Sequence, residues 1–202
     1  MSEQSNPMSV HEAINLRRAV RSFRPDSIDE VSIRSLLAAA VRAPTAMHRE
    51  PWAFAIVQDR AVLRRLSDRV KAQWVVTGPH VEPQILAAVP EAGGFLEALA
   101  RPDFNVFYDA GTLIVICARP LSRFVSADCW LATENLMLAA CGMGLGTCMV
   151  GSAIETFNLP EVKMELAIPT DLEVIATVIV GVPSRLTPPT SRRPPEILSW
   201  AR

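Results

Sequence analysis

The chain holds 202 residues, half of them hydrophobic and 20% charged, with 20 basic and 21 acidic side chains and a formal charge of -1. That balance excludes global disorder and allows a core without disulfides or a structural metal. The first 75 residues carry 12 basic and 8 acidic groups and the remainder 8 and 13, so neither part has the basic excess of a nucleic-acid domain.

In chain order, Ser9 to Arg18 reads as a short helix, with a capping-box pair at Ser9 and Glu12. Ser27 and Glu30 repeat that signal before a helix over Val31–Ala43, which Pro44 stops. Trp52–Val57 is almost wholly apolar, which predicts a central strand. Asp59–Val76 is amphipathic, with Val62, Leu63, Leu66, Val70 and Trp74 inward. Prolines at 79, 83 and 90 break up residues 77–105, where Phe95–Arg101 could form a turn or two of helix. Thr112–Ala118 reads as a buried strand. A helix capped by Ser126 runs to Cys141 and ends in Gly142, Gly144 and Gly146. A helix over Leu159–Ala167 and a strand over Leu172–Val180 follow.

Strands and helices therefore alternate, predicting an α+β or α/β sandwich in a single domain over residues 9–202. Within it, 184–202 is an extended, proline-rich tail whose Ile197, Leu198 and Trp200 need a covering surface, on their own domain or on another subunit. No apolar run reaches roughly 18 residues and no signal-peptide pattern opens the chain. The expectation is a soluble, cytoplasmic protein.

Several chemistries lack their residues. The four cysteines form no CxxC pair, and His11-Glu12 begins an HExxH pattern that Asn15 breaks, so no metal site is expected. Gly142-Met143-Gly144-Leu145-Gly146 follows a helix, whereas a dinucleotide fingerprint follows a strand. There is no phosphate-loop lysine and no GxSxG elbow. What stands out is Arg17, Arg18, Arg21 and Arg24 within eight positions, a cluster that could hold one small anion or form a solvated surface.

Four blocks carry a resemblance. Arg17-Arg18-Ala19-Val20-Arg21-Ser22-Phe23, then Ala43 through Trp52, then Asp128–Asn135 with Gly144-Leu145-Gly146-Thr147-Cys148, and finally Gly181-Val182-Pro183 with Arg192-Arg193-Pro194 resemble, in order, the FMN-dependent nitroreductase family. The resemblance implies a three-layer α+β sandwich with a central mixed, mainly antiparallel sheet surrounded by helices. It also implies a homodimer with FMN at the interface. The implied activity is NADH- or NADPH-driven reduction of nitroaromatic, quinone or related electron-poor substrates by a ping-pong mechanism.

Residue by residue, the resemblance places Arg17 and Arg192 at the FMN phosphate, with Arg18 a backbone or peripheral contact. Ala19 lacks the hydroxyl usual at its position. Arg21 would face the pyrimidine side of the ring, where a cation stabilises charge gained on reduction. Pro44, Thr45 and Ala46 would lie against one ring face, from the opposite subunit. His48 stands where the family has an amide, as a polar contact, and Glu50 replaces a neutral glutamine. The backbone of Met149–Ser152, with Val150 and Gly151, would pass the N5 and O4 edge. No catalytic side chain is implied, since the flavin carries the hydride. Trp52 and Trp130 read as core residues ahead of stacking platforms, whereas Phe104 and Phe107 read equally as core or cavity lining. The departures at Ala19, His48 and Glu50 keep two alternatives open: a noncatalytic FMN-binding or structural protein that retained the fold, and a specialised dehalogenating or flavin-converting relative.

Overall fold

The computed structural model describes residues 8–77, 94 and 97–201. Helix α1 (Val10–Leu16) opens with the expected capping box: the Ser9 hydroxyl accepts the Glu12 N–H at 3.2 Å, and the Glu12 carboxylate accepts the Ser9 N–H at 2.7 Å. Helix α2 (Glu30–Ala40) is capped by Asp29, which accepts the Ser32 N–H at 2.6 Å. The expected cap, Ser27, donates its hydroxyl to the Gly111 carbonyl at 2.9 Å instead. Strand β1 (Trp52–Val57) leads into α3 (Arg60–Thr77), whose start is capped by Asp59 accepting from Val62 N–H at 2.9 Å. The proline-broken stretch through Pro79, Pro83 and Pro90 lies outside the described residues, as do Phe95 and Leu96; residues 97–99 are helical.

Strand β2 (Thr112–Ala118) precedes α4 (Val125–Gly142), which starts after Phe124, so Ser126 sits in its first turn and not at its cap. A four-residue strand β3 (Gly146–Met149), a short α5 (Ile154–Phe157), α6 (Pro160–Glu165) and β4 (Glu173–Gly181) complete the order. Pro160 occupies the first position of α6, where its missing N–H costs nothing.

The sheet runs β1-β2-β4-β3, with every neighbouring pair antiparallel. Strand β1 is therefore an edge, not the central strand its apolar run predicts. Trp52–Ala55 are half-buried on both faces because helices cover both, while among the described residues only β2 pairs with its backbone. A parallel element enters through an isolated bridge from Ala19 to Thr147.

Alternation along β2 separates two cores. Leu113, Val115 and Cys117 pack with Leu63, Leu66 and Val70 of α3 and Phe157 of α5. Ile114, Ile116 and Ala118 pack on the other face with Leu36 and Ala40 of α2 and Cys129, Ala132 and Leu136 of α4. The result is the expected three-layer α+β sandwich. Beyond Pro183 the chain is irregular, and Ile197 and Leu198 are 61% and 89% exposed, so their own domain does not cover them. Among the described residues no helix is long and apolar enough to cross a membrane.

Candidate functional site

The segment around Val20 is joined to β3 and, further on, to the stretch that follows β4. The Val20 N–H donates to the Thr147 carbonyl at 2.9 Å, Arg24 N–H to Val182 at 2.8 Å, and Ser184 N–H to Ser22 at 3.0 Å. Gly146 permits this approach: a Cβ there would lie 2.8 Å from Val20 Cγ2 and 3.0 Å from Pro183 Cγ. The isolated bridge from Ala19 to Thr147 holds the chain between Arg17 and Arg21 against β3. Both charges act on the Cys148 thiol.

At one end lies a cleft of about 480 Å³ lined by Arg17, Arg18, Glu134 and Arg192, with Asn15 and Thr190 beside them. The Arg17 guanidinium is half-buried and meets the Glu134 carboxylate at 3.4 Å. Arg18 donates through Nη1 to the carbonyls of Asn15 at 2.6 Å and Arg17 at 2.8 Å, while its Nε is buried with no partner. Arg192 is exposed and its Nη1 donates to the Ser191 carbonyl at 3.3 Å, and the positive charge of the three arginines around one depression suits an anion.

A second cleft of about 420 Å³ lies by Arg21, lined also by Trp74, Val106, Tyr108, Cys148, Val150 and Gly151. The Arg21 guanidinium sits 5.8 Å from the centre of the Tyr108 ring. Trp74 Nε1 donates to the Ser152 carbonyl at 2.8 Å. Val150 is tied to β4: its N–H donates to the Thr177 carbonyl at 2.9 Å and its carbonyl accepts the Thr177 hydroxyl at 2.7 Å. Gly151 is exposed, its φ lies outside the left-handed region, and a Cβ would meet nothing within 4 Å, so nothing in this chain requires glycine there. Burial raises the pKa of the Cys148 thiol on the cleft floor, with Arg21 and Arg17 opposing it.

The Pro44–His48 loop stands apart and lines neither cleft. Its 3₁₀ turn (Ala46–His48) is held by the buried Asp128 of α4, whose Oδ1 accepts the Ala46 N–H at 3.2 Å. Thr45 Oγ1 accepts the Glu50 N–H at 3.4 Å. Met47, His48 and Glu50 all have left-handed backbone, at φ 57, 51 and 43, each costing about 1–2 kcal/mol for a non-glycine residue. Pro44 and His48 are exposed. Within one chain, then, Arg17, Arg18 and Arg192 meet, and Arg21, Val150 and Gly151 meet beside them. Pro44, Thr45, Ala46 and His48 do not join either group.

Sequence reasoning passed over Glu134, Asp128, Trp74, Cys148 and Tyr108. Tyr108 is the chain's one tyrosine, which alone was a signal. Trp52 and Trp130 pack against the α2–α4 core, and Phe107 is fully buried in the other.

The model of the nitroreductase family matches residues 14–182. An NADH dehydrogenase of Thermus thermophilus is 27% identical over 195 residues, covering 91% of this chain and 92% of that protein. Among solved structures, a nitroreductase with bound FMN from Bacteroides fragilis superposes with a TM-score of 0.79 at 25% identity, covering 96% of this chain and 100% of that one. An iodotyrosine deiodinase bound to FMN and 3-iodo-L-tyrosine shares the fold at a TM-score of 0.73 and 21% identity, covering 94% and 97%.

Proposed function

Because the chain belongs to the nitroreductase family, we propose that it is an FMN-dependent oxidoreductase. In this reading it takes reducing equivalents from NADH or NADPH and passes them, in a ping-pong cycle, to a nitroaromatic, quinone or related electron-poor acceptor. The observation that carries the reading is the convergence of Arg17, Arg18 and Arg192, from both ends of the sequence, on one cleft beside the Arg21 cleft.

The donor set fits the cofactor. A dianionic phosphate matches three guanidinium groups, and the buried, unpartnered Arg18 Nε is a donor such an anion would satisfy. When bound, FMN supplies the two-electron chemistry. Arg17, Arg18 and Arg192 hold its phosphate in this reading, with Ala19 alongside. Arg21 places positive charge where a ring gaining electrons needs it. Cys148 and Val150, both buried, form a floor that keeps water away, and the Val150–Thr177 hydrogen bonds make that floor rigid.

The separation of the Pro44–His48 loop from both clefts supports a homodimer with two sites at its boundary. There Pro44, Thr45, Ala46 and His48 of one protomer would complete the site of its partner. The tail over 184–202 of the single domain would then lie on the partner subunit, which agrees with the exposure of Ile197 and Leu198. Four unpaired cysteines suit a reducing, cytoplasmic setting.

The test is FMN reconstitution followed by anaerobic reduction with NADH and with NADPH. Bleaching of the bound flavin by either nucleotide is the expected result. Protein that takes up no FMN defeats the reading, and protein that binds FMN but is reduced by neither is a noncatalytic binder.

A further inference from the structure

The turn that follows Phe104 is built against its own backbone preference. Tyr108 and Asp109 are successive non-glycine residues with left-handed φ of 52 and 56. Four hydrogen bonds brace them. The buried Asn105 side chain accepts the Phe107 N–H at 2.9 Å and donates to Asp109 Oδ1 at 2.8 Å. Ser67 Oγ accepts the Val106 N–H at 3.0 Å, and the Tyr108 N–H donates to the Asn105 carbonyl at 2.8 Å. Such a conformation persists only where its surroundings over-determine it, and it is commonest at functional positions.

The turn delivers one aromatic ring to the cleft. Phe104 meets the Tyr108 ring edge-on at 5.6 Å, fixing its plane, and Arg21 lies over the same ring at 5.8 Å. Arg21 itself is exposed, one residue beyond the Val20–Thr147 hydrogen bond, and among the described residues no carboxylate pairs with it. Its long, flexible side chain is therefore located by the ring beneath it together with the Cys148 thiol of the same cleft.

We propose that Tyr108 is a positioning residue for Arg21, fixing the guanidinium over the cleft between Val106 and Ser152 and so setting how strongly that cleft favours a ring that gains negative charge. The proposal rests on the flavin reading above and assigns Tyr108 no contact with the reacting atoms.

The experiment compares holoprotein of wild type, Tyr108→Phe, Tyr108→Asn, Arg21→Ala and the double variant Arg21→Ala/Tyr108→Asn. Asparagine is chosen because it adopts left-handed backbone readily while removing the ring. FMN affinity is titrated, the midpoint potential is measured by spectroelectrochemistry, and thermal melting reports the fold. Tyr108→Phe keeps the ring and should match wild type. Tyr108→Asn should weaken the reduced flavin relative to the oxidised by about two- to fivefold, seen as a more negative potential. In the Arg21→Ala background the same substitution should add nothing. Equal effects in both backgrounds, or a wild-type potential in Tyr108→Asn, would overturn the proposal while wild-type holoprotein still forms. Wild type that binds no FMN is a different result, and it removes both the flavin reading and this role. Should Tyr108→Asn fail to melt cooperatively, Tyr108→Gly, which also accepts left-handed backbone and removes the ring, takes its place: a more negative potential supports the proposal and a wild-type potential overturns it.

Discussion

Arg17 Nε lies 3.4 Å from Glu134 Oε1 at the mouth of the cleft that Arg18 and Arg192 also line. An acid set among three guanidinium groups competes with any anion they would bind. Replacing Arg17 with alanine should weaken FMN by about 10–150-fold, the range for a charge-assisted contact. Glu134→Gln should act oppositely and tighten FMN by about two- to fivefold, an effect that shrinks at high salt. Titration of apoprotein at two ionic strengths measures both; unchanged affinity in Arg17→Ala defeats the phosphate assignment.

A steric test addresses the same segment from beneath. In Gly146→Ala the new methyl would sit 2.8 Å from Val20 Cγ2. Overpacking of this kind should destabilise the fold by about 1–3 kcal/mol and push the Arg17–Arg21 segment off β3, lowering FMN affinity. Removing the neighbouring side chain altogether, in Gly146→Ala/Val20→Gly, should restore part of both losses, because Val20 Cβ itself would lie 2.9 Å from the methyl. Chemical denaturation with parallel FMN titration reads the cycle.

Asp128 supplies an acceptor to the Ala46 N–H from within the α2–α4 core. Asp128→Asn keeps a carbonyl oxygen there and should stay within about 1 kcal/mol of wild type, whereas Asp128→Ala should cost about 1–3 kcal/mol and loosen the Pro44–His48 loop. Amide hydrogen exchange at Ala46 separates the two, with faster exchange only in the alanine variant.

Burial pushes the Cys117 thiol up to about 11 and the Cys129 thiol up to about 12, from an ordinary 9.0. A raised folded pKa gives stability that is fully present below the unfolded pKa and lost as pH rises towards the folded one. Stability should therefore be flat in these two groups below about pH 9 and then fall by roughly 1.4 kcal/mol per pH unit for each thiol up to its folded pKa. Unfolding midpoints between pH 8 and 10.5, with Cys129→Ala as the reference, test the sign and the window.

Sedimentation of the protein with and without FMN tests the assembly. A dimer that dissociates more readily without the cofactor is expected, since a ligand bound only by the assembled state stabilises it by mass action. A holoprotein that sediments as a 22.1 kDa monomer leaves the Pro44–His48 loop with no role in the site.

Local signals were legible wherever a hydrogen bond joins near neighbours. The Ser9–Glu12 box is written in four residues, and the inward face of α3 in its spacing. Competition between equivalent signals was not legible: Ser27 and Asp29 both suit a cap, and only the distant Gly111 carbonyl decides between them. Nor was rank within the sheet, because β1 is apolar on both faces under two helix layers and so reads like an interior strand. Strand β3 has four residues, too few for a period. At the site, the arginines declared themselves by clustering, and the resemblance sorted them. Glu134 lies within a block of the resemblance and Tyr108 is the chain's one tyrosine, but only tertiary packing brings either to a cleft.

Ser22 and Ser184, 162 positions apart, share a hydroxyl hydrogen bond of 2.6 Å where the two arginine-bearing segments run side by side. Closing so long a loop is slow relative to the local helices and to the β1–β2 pairing. The Arg17–Arg192 cleft is consequently among the last features a folding chain acquires. A chain in which that pairing has not yet formed keeps Arg17 and Arg18 but lacks Arg192 in the cleft. Refolding followed by flavin quenching should accordingly lag refolding followed by core fluorescence.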